Sequence, residues 1–202
     1  MKIKKTIITS VLVLVWLSNQ LWAQETNPNI NKNGLYFGVY TGTWFGTGKN
    51  SVMGSPLMGG LLMELKSGKG ALAVNFDLVG NLTKTKTLYL ESNNKLFERN
   101  KYIGAQISLQ YSHELYSQNR FALEAVGGFG FGDLTFVPDD EESIGTKSFF
   151  IDPGIGARYF IGQKTFLQLK IQYNLANYKI NDNVSTNISG NFVTTKLILG
   201  WK

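Results

Sequence analysis

The single histidine of the chain, His113, stands between Ser112 and Glu114 in the stretch QYSHELY. A serine, a histidine and a carboxylate are the groups of an acyl-transfer triad, in which the ring takes the hydroxyl proton and the carboxylate orients the ring, so all three must converge. In an extended strand, neighbouring side chains point to opposite faces, which sets Ser112 and Glu114 on one side and His113 on the other. On that geometry the triad dissolves and His113 is a surface residue near a strand end. A second cluster is the acidic PDDEES, around Asp139 to Ser143. Such a tip could hold a divalent cation, but it lacks the glycine and ligand spacing of a defined calcium loop, which favours plain solvation. The third group is dispersed: Glu64, Lys66, Asp77, Glu114, Glu124, Asp152, Arg158, Lys170 and Lys196 each fall in an alternating stretch, on the same parity as glycines and amides. One face of a sheet would then gather them. No phosphate-binding loop, no set of histidines or cysteines at metal spacing and no basic run suited to nucleic acid is present, so no cofactor, metal or nucleic-acid partner is expected.

The elements that must position these groups read as strands. Glycine is abundant at 22 residues, proline is scarce at 4, and strict alternation recurs where capped helical spacing does not. In LYFGVYTGTWFG, Leu35, Phe37, Val39, Thr41, Thr43 and Phe45 oppose Tyr36, Gly38, Tyr40, Gly42, Trp44 and Gly46. The same division recurs in LMGGLLMELK, ALAVNFDLVGNL, YIGAQISLQYSHEL, RFALEAVGGFGFG, IDPGIGARYFI, TFLQLKIQYNLANY and the closing FVTTKLILGWK, which gives eight strands in all. Pro153 has no N–H to give to a ladder, so the sixth strand is expected to begin or bulge there.

The N-terminus carries Lys2, Lys4 and Lys5, an apolar run from about Ile7 to Leu17, and Leu21 and Ala23 at the positions of a cleavage site. This is the layout of a secretory signal peptide over residues 1–23; an uncleaved anchor would need roughly 20 apolar residues. The expected organisation is the leader, a short segment over 24–33, and one barrel domain over 34–202. Removing the leader takes three of the twenty Lys and Arg and none of the fourteen acids, so the formal charge falls from +6 to +3. The basic balance therefore says little about partners. There is no cysteine, so neither a disulfide framework nor a lipid-modified N-terminal cysteine is available.

The connections alternate. Those after strands two, four and six (SGKG, YSQN, GQK) are short, whereas the others are longer and polar. That is the rhythm of a transmembrane β-barrel, with short turns and both termini in the periplasm and long loops outside. A soluble lipocalin-like barrel would instead turn its apolar face inward around a ligand, and Gly42, Thr43 and Trp44 do spell the glycine-x-tryptophan of such a barrel. Two features favour the membrane orientation. The glycines lie on the charged face, where a narrow barrel needs small residues beside large ones. Phe37, Tyr111, Phe121, Tyr159 and Trp201 come near the terminal end of the apolar face, and Phe45, Phe129 and Phe131 near the other, as two interfacial belts would. With eight strands the inward charges Glu64, Lys66, Asp77, Glu124, Asp152, Arg158, Lys170 and Lys196 are expected to form a plug of ion pairs and not an aqueous channel.

The leader, the eight segments, the loop rhythm and the aromatic-ended last strand resemble the small outer-membrane β-barrel proteins of Gram-negative bacteria. DPGIGARYFIGQKTFLQLKIQYNL is similar to the penultimate hairpin of the outer-membrane β-barrel domain common in the Bacteroidetes. The resemblance implies an all-β, eight-stranded antiparallel up-and-down transmembrane barrel in the cell outer membrane, surrounded by lipid and lipopolysaccharide and expected to be a monomer. It also implies that Leu197, Leu199 and Trp201 form an end read by the barrel assembly machinery, with Lys202 as an overhang. Activity does not transfer with a fold. A structural or cell-surface role is expected, with a lipid-modifying barrel enzyme and a secreted lipocalin-like barrel as alternatives. The loop TKTKTLYLESNNKLFERN, residues 83–100, reads as strands three and four protruding as a ribbon that could dock a surface protein by strand addition.

Overall fold

A computed structural model describes residues 32–81, 87–92, 95–137, 144–180 and 184–202. The leader, residues 24–31 and the acidic tip at 139–143 lie outside the described residues. The strands are β1 (Gly34–Gly46), β2 (Leu57–Ser67), β3 (Gly70–Gly80), β4 (Leu88–Ser92), β5 (Lys95–Arg99), β6 (Tyr102–Gln118), β7 (Phe121–Phe136), β8 (Ile144–Ile151), β9 (Gly154–Phe160), β10 (Thr165–Ala176) and β11 (Phe192–Trp201), with a short 3-10 turn at Lys49–Met53. All pairings are antiparallel, and β11 closes on β1 from Phe37↔Trp201 to Gly46↔Phe192. With β8 and β9 serving as two halves of one wall strand, the ring has eight strands.

Register fixes the shape. From Gly34 the partners run through Lys66, Ala71, Ser112, Val126, Gly154, Gln172 and Thr194 and return to β1 at Trp44, a displacement of ten residues. A stagger larger than the strand number places the tilt toward the steep end of the roughly 35–45° that barrels adopt. Tight turns join β2 to β3, where Gly68 takes a left-handed φ of 56°, and β6 to β7, where Asn119 takes 51°.

The sixth wall strand departs from expectation. β9 does begin just past Pro153, but β8 forms the same wall strand on the other side of the break from Ile144, and the register on both neighbours is unchanged across it, so there is no bulge. Pro153 points outward and accepts the Tyr173 N–H at 2.8 Å while returning no donor; Asp152 keeps its bond to the Gly128 carbonyl at 3.0 Å. One ladder bond is lost without a shift of frame. The bulge lies instead in β6, between Glu114 and Tyr116, where Leu115 is the extra residue.

The loop 83–100 also departs from the ribbon reading. Its described part is a separate two-stranded sheet, β4 with β5. Leu88 and Leu90 are buried, and the β4 edge is engaged by Ser185 and Thr186: the Thr186 N–H donates to the Tyr89 carbonyl at 2.6 Å, and the Glu91 N–H donates to Ser185 Oγ at 2.8 Å. The hairpin folds onto the barrel mouth because its two leucines have an apolar surface to cover there.

Candidate functional site

The inward parity builds a filled interior in three layers. Its middle is charged. The strands bury five carboxylates (Glu64, Asp77, Glu114, Glu124 and Asp152) and four cations (Lys66, Arg158, Lys170 and Lys196), all 6% exposed or less. Arg158 on β9 makes a bidentate pair with Glu64 on β2, the wall strand opposite, with Nη1–Oε1 at 2.5 Å and Nη2–Oε2 at 2.8 Å. Its Nε lies 3.0 Å from Glu124 Oε1, its guanidinium stands over the Phe166 ring at 4.3 Å, and Gln168 donates to Glu124 Oε2 at 2.5 Å. Planar bidentate pairing across the lumen suits arginine and not lysine.

Around this centre, Lys196 meets Asp77 at 2.7 Å, and Tyr40 donates to the same carboxylate oxygen at 2.8 Å. Lys66 meets Glu114 at 2.8 Å. Lys170 and Asp152 are joined through Gln110, whose amide oxygen accepts from Lys170 at 3.2 Å and whose amide nitrogen donates to Asp152 at 2.6 Å. The eight interior residues named from sequence thus all stand inside the wall, tied to one another, to Glu114 or through amides. Sequence reading passed over the linkers Tyr40, Gln110 and Gln168, although each shares the inward parity of the charges it serves.

The two end layers are apolar, which the sequence reading of a polar interior did not anticipate. Toward the terminal end, Tyr36, Tyr40, Leu62, Ala73, Phe160, Phe166 and Ile198 pack together. Toward the loop end, Trp44 stacks on Phe192 at 4.3 Å, with Tyr178 edge-on to both. Met53, Leu88, Leu90, Ile188, Tyr102 and Phe136 complete that layer, several of them supplied by loops. Gln106 donates to the Tyr178 hydroxyl at 2.9 Å and so joins the apolar cap to the charged middle; burial raises the pKa of that hydroxyl above the ordinary tyrosine value.

The remaining groups are placed as follows. Ser112 and Glu114 are buried inside while His113 is exposed outside, its Nδ1 3.2 Å from the Tyr111 hydroxyl, so the three do not converge. Phe37, Tyr111, Phe121 and Trp201 are exposed on the outer wall and Tyr159 is half-buried there, with Phe37 opposite Trp201 and Phe121 opposite Tyr159. Leu197 and Leu199 face outward on β11. Lys202 is more than an overhang: its N–H donates to the Lys164 carbonyl at 2.8 Å beside β10, and its Nζ donates to the Asn33 carbonyl across the β11–β1 seam where the barrel closes. Lys32 meets Ser117 Oγ at 2.6 Å and stands over the Phe160 ring, so the residues just before β1 reach across the terminal mouth. Paired charges and linking amides give this interior the chemistry of an ion-paired core, with no nucleophile and base in mutual reach at the positions named from sequence.

No protein-family model matches the chain, and no curated protein matches its sequence. Solved structures do match in shape. Neisserial surface protein A aligns with a TM-score of 0.60 at 10% identity, covering 83% of this chain and 95% of that one. The N-terminal β-barrel domain of OprF from Pseudomonas aeruginosa aligns with a TM-score of 0.52 at 10% identity, covering 82% and 96%. Ail, the attachment invasion locus protein of Yersinia pestis, solved with the heparin analogue sucrose octasulfate, aligns with a TM-score of 0.50 at 13% identity, covering 83% and 95%. At such identities the likeness is one of fold: the chain has the eight-stranded antiparallel barrel that these proteins share.

Proposed function

We propose that the chain is an integral outer-membrane protein whose barrel spans the membrane with a closed, filled interior, and whose role is structural or carried at the cell surface by the loop end. The inversion of burial carries this reading. Leu61, Leu65, Leu78, Ile107, Ile155 and Leu169 are each 47–61% exposed on the outer wall, while every one of the nine charges on the inward parity is buried. At roughly 25 cal/mol per Å² of apolar surface, a wall of this kind is stable against hydrocarbon and unstable against water. Aromatic residues at both rims agree with two membrane interfaces.

In this reading both termini are periplasmic, because the short turns lie at their end of the barrel and the longer connections at the other. Lipid and lipopolysaccharide surround the wall, and the assembly machinery reads the end of β11 at Leu197, Leu199 and Trp201. The protein is a monomer, and the loop of residues 83–100 is the region offered to a surface partner. The hairpin of β9 and β10 carries the affinity with the Bacteroidetes barrels. Cell fractionation with boiled and unboiled gel electrophoresis tests the reading: the expected result is an outer-membrane protein with a heat-modifiable band. A soluble periplasmic protein with no such shift would overturn it.

A further inference from the structure

On the outer wall near the loop end, β2, β3, β6 and β7 enclose a groove of about 610 Å³. Register partners run Gly59, Leu78, Ala105, Asp133 in one row and Leu57, Gly80, Ile103, Thr135 in the next, so small residues sit between large ones and leave a trough. The two glycines have no structural reason to be glycine. Neither has a positive φ. A Cβ added at Gly59 would meet nothing nearer than 3.7 Å, and one at Gly80 nothing nearer than 3.8 Å, whereas at the inward Gly128 it would lie 2.5 Å from a carbonyl oxygen. Glycine weakens a strand, and a larger residue would fit at both positions. What glycine provides there is the depth of the groove.

The lip of the groove is charged. Asp133 stands opposite Ala105, and Lys147 on β8 reaches to 3.5 Å from its carboxylate, with both side chains well exposed. Lys101 lies just before β6, two residues before Ile103 and on the same parity, opposite Val137, whose N–H it accepts at 3.1 Å, and it is exposed. Just below lie the outward rings of Phe129, Phe131 and Phe149, where the apolar belt ends. An apolar trough that opens onto two lysines and one carboxylate, at the height where a membrane turns from hydrocarbon to headgroup, matches a chain attached to an anionic group.

We propose that this groove seats one acyl chain of a phosphate-bearing membrane lipid, with the phosphate held by Lys101 and Lys147. The proposal rests on the membrane-spanning reading above. To test it, the full chain is reconstituted in phosphatidylcholine nanodiscs doped with phosphatidic acid that carries a diazirine on its acyl chain, irradiated, and mapped by mass spectrometry. Labelling is expected on residues 57–59, 78–80 and 103–105, several-fold above the opposite wall at Ile155, Leu169 and Leu199. The Gly59→Leu/Gly80→Leu variant, checked for its heat-modifiable band, should label these segments no more than that wall. Lys101→Gln/Lys147→Gln should erase the preference for phosphatidic acid over a phosphatidylcholine probe with the same chain. Even labelling of all walls, unchanged in the variants, overturns the site and leaves the membrane reading standing. Labelling of no wall overturns the membrane reading itself.

Discussion

Replacing Arg158 by methionine removes the centre of the interior while keeping much of its length. The guanidinium is fully buried and holds Glu64 at 2.5 and 2.8 Å and Glu124 at 3.0 Å. In Arg158→Met both carboxylates stay buried with their counter-charge gone, and the interior holds three cations against five acids. Stranding a buried charge in this way costs about 3–5 kcal/mol. Glu64→Gln breaks the same pair from the other side, yet it leaves four cations against four acids, and Arg158 keeps Glu124. That variant should lose only the charge assistance of its hydrogen bonds, about 1–3 kcal/mol. The triple variant Arg158→Met/Glu64→Gln/Glu124→Gln, with no charge stranded, should recover part of the loss. Equilibrium urea unfolding of the vesicle-inserted protein, followed by tryptophan fluorescence and by the folded gel band, measures all three. Equal losses below about 1 kcal/mol for the two single variants would mean that water screens these groups, and the reasoning for a plugged interior would be refuted.

Trp44→Ala should destabilise the barrel by about 3–5 kcal/mol in the same assay, because a fully buried ring stacked on Phe192 is lost from the loop-end layer. Gly128→Val should sharply reduce the folded yield on refolding, since a Cβ would collide with Leu109 O at 2.5 Å, Gln110 Cγ at 2.6 Å and Asp152 Oδ1 at 2.7 Å; Gly59→Ala, with room for its methyl, should stay within about 0.5 kcal/mol of wild type. Trp201→Ala should slow outer-membrane assembly, read from the folded fraction in cells, more than deletion of Lys202 does. The deletion should still lower unfolding stability slightly, through the loss of its bonds to Lys164 beside β10 and to Asn33 across the closing seam.

The wall was legible in the sequence because a barrel has one inside and one outside. Once alternation assigns Leu35 and Tyr36 to opposite faces, every later strand repeats the choice, and closure of β11 on β1 leaves no edge strand to blur it. Strand ends were less legible. Leu134, Phe136, Ile144 and Phe150 extend β7 and β8 past the expected limit because their inward rings and branches reach the loop-end layer, a contact that no local pattern announces. Pro153 misled in part for a different reason. Its single missing donor faces β10, so the ladder is interrupted there, yet the wall strand resumes in the same register and needs no bulge.

The composition of the interior followed from parity, but its pairing did not. Glu64 and Arg158 belong to opposite wall strands, and which inward residues share a level depends on the ten-residue stagger, which accumulates over eight registers and appears in none of them alone. The end layers depend on connection residues that no alternation marks, such as Met53, Tyr178 and Ile188, and on Leu88 and Leu90, which do alternate but whose folding over the mouth no local pattern announces. Those residues bear on the ion pairs. With aromatic and aliphatic side chains above and below, the charged middle has little water to shield it, so each pair attracts more strongly and each stranded charge costs more. The loops therefore do more than decorate the outer rim: by folding Tyr178 and the two hairpin leucines over the mouth, they cover the charged layer from that side.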